Sequence, residues 1–485
     1  MKAAARGRQA PANGTDMPPL VDLSLARRIL AISWPVVIGM LTQTMVNIAD
    51  TVMVGYLDPS TSVPGQAALN MSLIMLWAVG GFLSSVQVGT QALTARRLGA
   101  EQPLEAGKAL TNSLAISLTC GLLFSVLFAV YIDEIFPAVL SVLGEADAKV
   151  IELGVPYARW RMFNVFSMVV TVSFKAFFDG AGKTYIHMTA ALVMNGLNVL
   201  LNWLLIFGVW IFPRMEVEGA GLASTIASYV GLAIVFGWTF LADYRKRFRF
   251  YRLSNLSRRM IGTIVRLSVP SGLATVAVMS GVYAVLLVVL EIDHAAIAAG
   301  AATVGQTFNS AATKIVFDIL SVTFMSSIAF GMGTATLVGQ SMGARRFDLA
   351  ARYGWESVKL WAGFFFLVGL VTIAFPDFFV SLFTKSQGVI DAARTPMRMA
   401  ASVECLAAGG LILAQALFAA GLARFVMLVE LGLHFGLLVP GAFVLGLWAG
   451  LGTTGVFLAA MLYIALLAAV LSWKWWQGGW KSVQI

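Results

Sequence analysis

The stretch that decides the fold runs Ser33-Trp-Pro-Val-Val-Ile-Gly-Met-Leu-Thr-Gln43-Thr-Met-Val-Asn47-Ile-Ala-Asp50-Thr-Val-Met-Val-Gly55. Its single ionisable residue sits in a run of Ile, Val, Leu, Met and Ala. As a helix rising about 1.5 Å per residue it is about 35 Å long, enough to cross the roughly 30 Å hydrocarbon layer of a bilayer. Gln43, Asn47 and Asp50 follow one another at spacings of four and three, so they share one face. An acid in that setting costs at least about 2.5 kcal/mol to insert. Asp50 therefore reads as a proton- or cation-accepting carboxylate in a cavity, set against the plainer reading of an aspartate that only holds helices together. Pro35 breaks the hydrogen-bond ladder near the other end, as a static kink or as a hinge.

Working outward, the whole chain of 485 residues has the same character. Hydrophobic residues make up 59% and charged residues 12%, against about 25% charged in ordinary soluble chains. The mean hydropathy is +0.83. Too little polar side chain is present to cover a soluble particle, so the expected fold is all-α and integral to the membrane. Apolar segments of membrane-crossing length lie near 29–56, 66–95, 108–131, 153–178, 186–211, 219–242, 262–290, 300–340, 353–376, 397–421, 424–448 and 453–474, about twelve in all. The eighth is over-long and is expected to tilt or to begin outside the bilayer.

Charges between these segments alternate in sign. One set of connections carries Arg6, Arg8, Arg27 and Arg28, then Arg96, Arg97 and Lys108, Lys183, Arg345, Arg346 and Arg352, Arg424, and finally Lys474 and Lys481. The other carries Asp58, then Asp133, Glu134, Glu145 and Asp147, Glu216 and Glu218, and Glu291 and Asp293. The positive-inside rule places the first set, with both termini, in the cytoplasm of a multi-pass plasma (inner) membrane protein. The net charge of +9 is then a mark of topology and not of nucleic-acid binding. Residues 1–22 lack an apolar run and read as a disordered cytoplasmic arm. An N-terminal six-helix lobe (23–242), a basic cytoplasmic linker (243–261), a C-terminal six-helix lobe (262–474) and a cytoplasmic tail (475–485) follow. The linker holds Arg245, Lys246, Arg247, Arg249, Arg252, Arg258 and Arg259, which suit a topological role and also anionic lipid headgroups.

The halves repeat. Ser33-Trp34-Pro35 resembles Ser268-Val269-Pro270, and Gly89-Thr-Gln-Ala-Leu-Thr-Ala-Arg-Arg-Leu-Gly-Ala100 resembles Gly333-Thr-Ala-Thr-Leu-Val-Gly-Gln-Ser-Met-Gly-Ala344. Each half has an even number of helices, so both insert the same way round. A pseudo-two-fold axis along the membrane normal follows, with a ligand site between the halves. Pro35 and Pro270 become matching candidate hinges.

Other polar residues interrupt apolar helices. Asn195, Asn198 and Asn202 share one face of the fifth helix, as cavity lining or as amide glue between helices. Lys314 and Asp318 on the eighth helix, and Glu430 and His434 on the eleventh, are spaced by four. Such pairs can be structural; Glu430 and His434 also fit a proton relay or a second cation site in the C-terminal lobe. Glu404 on the tenth helix reads as lying near its outer end. Cys120 and Cys405 have no Cys or His at metal-ligand spacing, and no metal site is expected beyond sodium at Asp50. No phosphate-binding loop and no zinc-protease motif occurs, so an enzyme is not expected. Transport would draw on an ion gradient.

These residues resemble the multidrug and toxic compound extrusion (MATE) family over Leu25 to Trp473. Trp34-Pro35 with Gln43 and Asn47 to Gly55 carries the resemblance. Gly89 to Ala100, Phe178-Asp-Gly-Ala-Gly-Lys-Thr184, Asn198-Val-Leu-Leu-Asn202, Glu218-Gly-Ala-Gly221 and Gly333 to Ala344 support it. The resemblance implies a V-shaped pair of six-helix bundles that exports amphipathic, often cationic compounds against proton or sodium influx, with no cofactor beyond that ion. Asp50 matches the family's helix-one acid, and Gln43, Asn198 and Asn202 match cavity positions of the N-terminal lobe. Pro35 matches a proline linked to bending of helix one. Tyr157 with Arg161 is similar to the helix-four pattern of the DinF-like branch. Asn202 stands where many DinF-like members have aspartate, and residues 262–290 hold no acid, unlike the NorM-like branch. The function expected is a proton-coupled antiporter working by alternating access, acting as a monomer on small molecules among membrane lipids. Sodium coupling and flipping of a lipid-linked precursor are the alternatives.

Overall fold

A computed structural model describes residues 21–142, 147–298, 300 and 308–483. The expected arm, Glu145 and the start of the expected eighth segment lie largely or wholly outside these residues. Among the described residues eleven helices are long and apolar enough to span a membrane, and a bent pair makes a twelfth if taken as one span. In chain order they are α1 (Leu23–Gly55), α2 (Pro59–Gly99), α3 (Pro103–Val130), α4 (Ala148–Gly180), α5 (Thr184–Phe207) and α6 (Glu216–Trp238). Then come α7 (Arg258–Ala298), α8 (Phe308–Gly343), α9 (Phe347–Ala374), α10 (Gln387–Ser402 with Glu404–Ala419), α11 (Ala423–Trp448) and α12 (Gly452–Gln477). Alternate helix ends gather the cationic loops at one end of the bundle, the basic end, and the acidic loops at the other.

Three features depart from the segments read in the sequence. The tenth span is broken by 50° between Ser402 and Glu404. Single π-helical turns interrupt α2 at Trp77–Gly81 and α11 at His434–Leu438 and Val444–Trp448. The seventh helix runs on to Ala298 and takes in Glu291 and Asp293. The segment 262–290 therefore understates helix seven, which does carry acids. Asp293 is buried and caps α8: it accepts from the backbone amides of Asn309 (3.3 Å) and Ser310 (2.8 Å) and from the Ser310 hydroxyl (2.6 Å). It satisfies helix-terminal amides and points to no cation site.

Helices α1–α6 form one lobe and α7–α12 the other. They meet through the repeated segments themselves. A methyl group at Gly99 would lie 1.9 Å from the Gln340 carbonyl oxygen, and one at Gly343 would lie 2.0 Å from the Arg96 carbonyl oxygen. Arg96 and Gln340 hold the same place in the two copies of the motif, so this contact is its own image under the pseudo-two-fold. Gly89 against Ser268 and Gly333 against Ser33 form a second reciprocal pair. Only glycine lets backbones approach so closely.

Hydrogen bonds lock the same surface. Ser33 Oγ donates to the Phe330 carbonyl at 3.2 Å. Gln91 Nε2 donates to the Met332 carbonyl at 2.8 Å and to Thr336 Oγ1 at 2.9 Å. Thr336 Oγ1 and Gln340 Nε2 donate to the carbonyls of Asp179 (2.9 Å) and Gly180 (3.0 Å). Arg96 reaches the carbonyls of Ala420 and Val483. All of these lie in the half of the bundle nearer the basic end, which is the apex of the V.

Candidate functional site

The N-terminal lobe gathers four helices around Asp50. The carboxyl-terminal part of α1 packs on α5, and α5 and α4 both pack on α6. Asp50 is buried at 4% exposure five residues before the end of α1. Asn202 Nδ2 donates to its Oδ1 at 2.5 Å. Asn198, one turn earlier on α5, bridges outward. Its Oδ1 accepts from Asn202 Nδ2 at 3.0 Å and its Nδ2 donates to the Ser224 hydroxyl of α6 at 3.0 Å. Arg161 on α4 is buried, stacks 5.9 Å from the Tyr157 ring centre, and is the cation whose field reaches Asp50. Its Nε and the Asn202 Oδ1 have no hydrogen-bond partner among the described residues.

This arrangement unites Asp50, Asn198, Asn202, Tyr157 and Arg161. Ser224 joins them, although a serine in an apolar helix carries no signal of its own. Asn195 is set apart. It lies two turns from Asn202 and donates to Thr42 Oγ1 at 2.9 Å, tying α5 to α1. Gln43 and Asn47 are half-buried and make no side-chain hydrogen bond among the described residues. Pro35 and Pro270 lie inside α1 and α7, in the half of each helix nearer the basic end.

In the C-terminal lobe Glu430 and His434 are both buried. His434 Nδ1 is 2.9 Å from the Glu430 carbonyl oxygen and 3.8 Å from Glu430 Oε2. The ring meets Tyr463 of α12 edge-on at 4.5 Å. Glu404 does not lie near an outer helix end. It sits at the break in α10, buried, accepting from Thr323 Oγ1 at 3.3 Å with Oε2 unpartnered among the described residues. Lys314 and Asp318 are both exposed and form no ion pair within 4.0 Å among the described residues. A further ionic cluster went unread in the sequence: at the basic end His187 Nδ1 is 3.6 Å from the buried Asp179 carboxylate, with Lys175 one turn away on α4. Its only sequence signals were a lone histidine and a Lys–Asp spacing of four. Among the described residues, no three His, Cys, Asp or Glu side chains converge to hold a metal ion.

Comparison with known proteins places this geometry in context. The MatE family model matches residues 35–204 and 303–444. A probable multidrug resistance protein NorM of Mesorhizobium japonicum is 26% identical over 93% of each chain. Multidrug resistance protein NorM of Burkholderia vietnamiensis is 26% identical over 91% of each. Among solved structures, a multidrug resistance MATE family transporter of the MOP superfamily in an outward-facing conformation superposes with a TM-score of 0.83 at 20% identity, covering 95% of this chain and 97% of that one. A MATE protein in its straight conformation superposes at 0.82 and 20% identity, covering 94% and 96%. The two-lobed, twelve-span fold is theirs.

Proposed function

The chain belongs to the MatE family, and on that premise we propose that it is a secondary active exporter of amphipathic, cationic small molecules, driven by proton influx. The multidrug resistance proteins among its relatives support the cargo class. The positive-inside rule supports a basic end in the cytoplasm of the plasma membrane. One chain supplies both lobes of the cavity, which supports a monomer.

The presence of a buried Arg161 whose charge reaches the buried Asp50, with no salt bridge between the two among the described residues, carries the choice of ion. With Asp50 ionised the two charges cancel, and a cationic cargo enters a locally neutral site. When a proton from outside neutralises Asp50, the guanidinium charge is left alone and repels the cargo outward. Sodium fits this site poorly. A bound metal cation needs several oxygen ligands, whereas here the Asn202 amide turns its nitrogen to the carboxylate and the buried guanidinium of Arg161 acts on the same group. After release, Asp50 gives up its proton on the cytoplasmic side and the cycle resets. A potential of about 100 mV supplies about 2.3 kcal/mol per charge, and each pH unit adds about 1.36 kcal/mol. One proton per cycle therefore sustains concentrative export.

The test uses purified protein. Cargo binding in detergent is expected to release protons from the wild type and none from Asp50→Asn. Liposome export is expected to persist without sodium and to collapse with a protonophore. Export by Asp50→Asn at the wild-type rate, or a strict need for sodium, overturns the proposal.

A further inference from the structure

A groove of about 610 Å³ opens on the outer wall of the N-terminal lobe, away from Asp50. Its walls come from Leu114 and Leu118 of α3, Phe166 and Phe174 of α4, and Leu232 and Phe236 of α6. Tyr251, Arg252, Leu253 and Leu256 of the linker between the lobes close it at the basic end. The volume falls in the roughly 300–1,000 Å³ range of sites that hold whole small molecules.

The linker is pinned in place. Asn112 Nδ2 donates to the Asn255 carbonyl at 2.8 Å, and the Ser257 amide donates to Asn112 Oδ1 at 2.8 Å. The Tyr251 hydroxyl meets Thr239 Oγ1 at 2.5 Å. Phe248 and Phe250 stand edge-on to Phe177 at 5.0 and 5.2 Å. The mouth of the groove is therefore a fixed surface, and it is strongly cationic. Residues 242–259 carry Arg245, Lys246, Arg247, Arg249, Arg252, Arg258 and Arg259 against one acid, Asp243. None of the seven is in an ion pair among the described residues.

We propose that this groove is a binding site for an anionic phospholipid, with an acyl chain between α3, α4 and α6 and the phosphate on Arg252 and its neighbours. An apolar slot of this volume that ends at Arg252, within a linker whose basic residues form no ion pair among the described residues, matches a molecule that is hydrocarbon at one end and anionic at the other. A cationic cargo would meet like charge there. The occupant would fasten the linker to the N-terminal lobe, so the lobes would pivot about a lipid-anchored strap. The site does not depend on the export reading.

Native mass spectrometry of the full chain in detergent tests it, with dioleoyl phosphatidylglycerol, dioleoyl phosphatidylcholine and soluble glycerol phosphate as probes. Near a membrane surface each Lys or Arg is worth about 1 kcal/mol, or about five-fold in affinity. The wild type is expected to hold one phosphatidylglycerol at least ten-fold more tightly than phosphatidylcholine, and glycerol phosphate not at all. Arg249→Gln with Arg252→Gln is expected to weaken phosphatidylglycerol about 25-fold and leave phosphatidylcholine unchanged. Ala115→Trp and, separately, Ala233→Trp fill the groove and are expected to remove the bound lipid. Equal retention of both headgroups, full phosphatidylglycerol binding by the double arginine variant, or binding of glycerol phosphate at lipid-like affinity overturns the proposal. If the tryptophan variants fail to fold, the headgroup comparison and the arginine variant decide it.

Discussion

Replacing Gly343 with alanine should unlock the basic end of the bundle. The added methyl would stand 2.0 Å from the Arg96 carbonyl oxygen, a backbone atom that cannot swing aside. Carbon–oxygen contacts settle near about 3.3 Å, so the lobes must part by about 1.3 Å. The Gln91 bonds at 2.8 and 2.9 Å and the Gln340 bond at 3.0 Å would then stretch to about 4 Å, beyond hydrogen-bonding length. Overpacking alone costs about 1–3 kcal/mol. At about 2 kcal/mol the apex-closed conformation loses about 30-fold in population relative to one in which these segments do not touch. Alanine otherwise favours a helix over glycine by about 1 kcal/mol, so the two effects have opposite signs. Gly196→Ala isolates the helix term, because a methyl there meets no atom within 4 Å. Spin labels at Lys183→Cys and Arg424→Cys, with Cys120 and Cys405 replaced by serine, report the separation by electron–electron double resonance. Gly343→Ala and its symmetry partner Gly99→Ala should broaden and lengthen that distance; Gly196→Ala should not. A closed apex in both apex variants, with only a raised melting temperature, would refute the reasoning.

Two further outcomes follow from the same contacts. Asp22 caps α1 and bridges to Arg352 of α9 at 2.6 Å, and its carboxyl is held below the usual aspartate range by the Ser24 hydroxyl, the Leu25 amide and the Arg352 charge. A depressed value contributes stability that is present above about pH 4 and is lost as pH falls through the folded-state value. Asn remains a good cap, so Asp22→Asn removes the bridge alone: it should melt below the wild type at neutral pH, and the gap should close under acid, as thermal melts across pH would record. Asn195→Leu should lose the bond to Thr42, costing about 0.6–1.7 kcal/mol as intramembrane hydrogen bonds do. Liposome export should stay near the wild-type rate, and an export defect as deep as that of Asp50→Asn would return Asn195 to the cavity.

The membrane explains which features could be read in advance. Hydrocarbon admits only helices with satisfied backbones, so the spans around Asp50 follow from apolar length, and loop charges set their direction. The repeat was legible as well, because Gly89 to Ala100 and Gly333 to Ala344 share a pattern. Its meaning was not: Gly99 on Gln340 and Gly343 on Arg96 are contacts across about 240 residues, and periodicity within a helix is silent about what crosses it. The same boundary divides the polar residues. The shared faces of Asn198 and Asn202 and of Asp50 were set by helical spacing alone, and the two faces meet. Where spacing was asked for a partner it served Glu430 and His434, 3.8 Å apart, and misled elsewhere. Lys314 and Asp318 are four apart yet exposed, with no ion pair between them among the described residues, while Asn195 found Thr42 on another helix. The break at Glu404 escaped notice because Ala400 to Gly410 is apolar but for Ser402 and that residue, and Pro396 lies eight positions before Glu404. A buried acid at such a break and a buried acid at Asp50 look alike in sequence. They differ in their neighbours: Asp50 has an amide donor from α5 and a guanidinium charge from α4, whereas Glu404 has one threonine among the described residues. In the proposed cycle that difference is what matters: the guanidinium of Arg161 is the charge that remains when Asp50 takes up its proton.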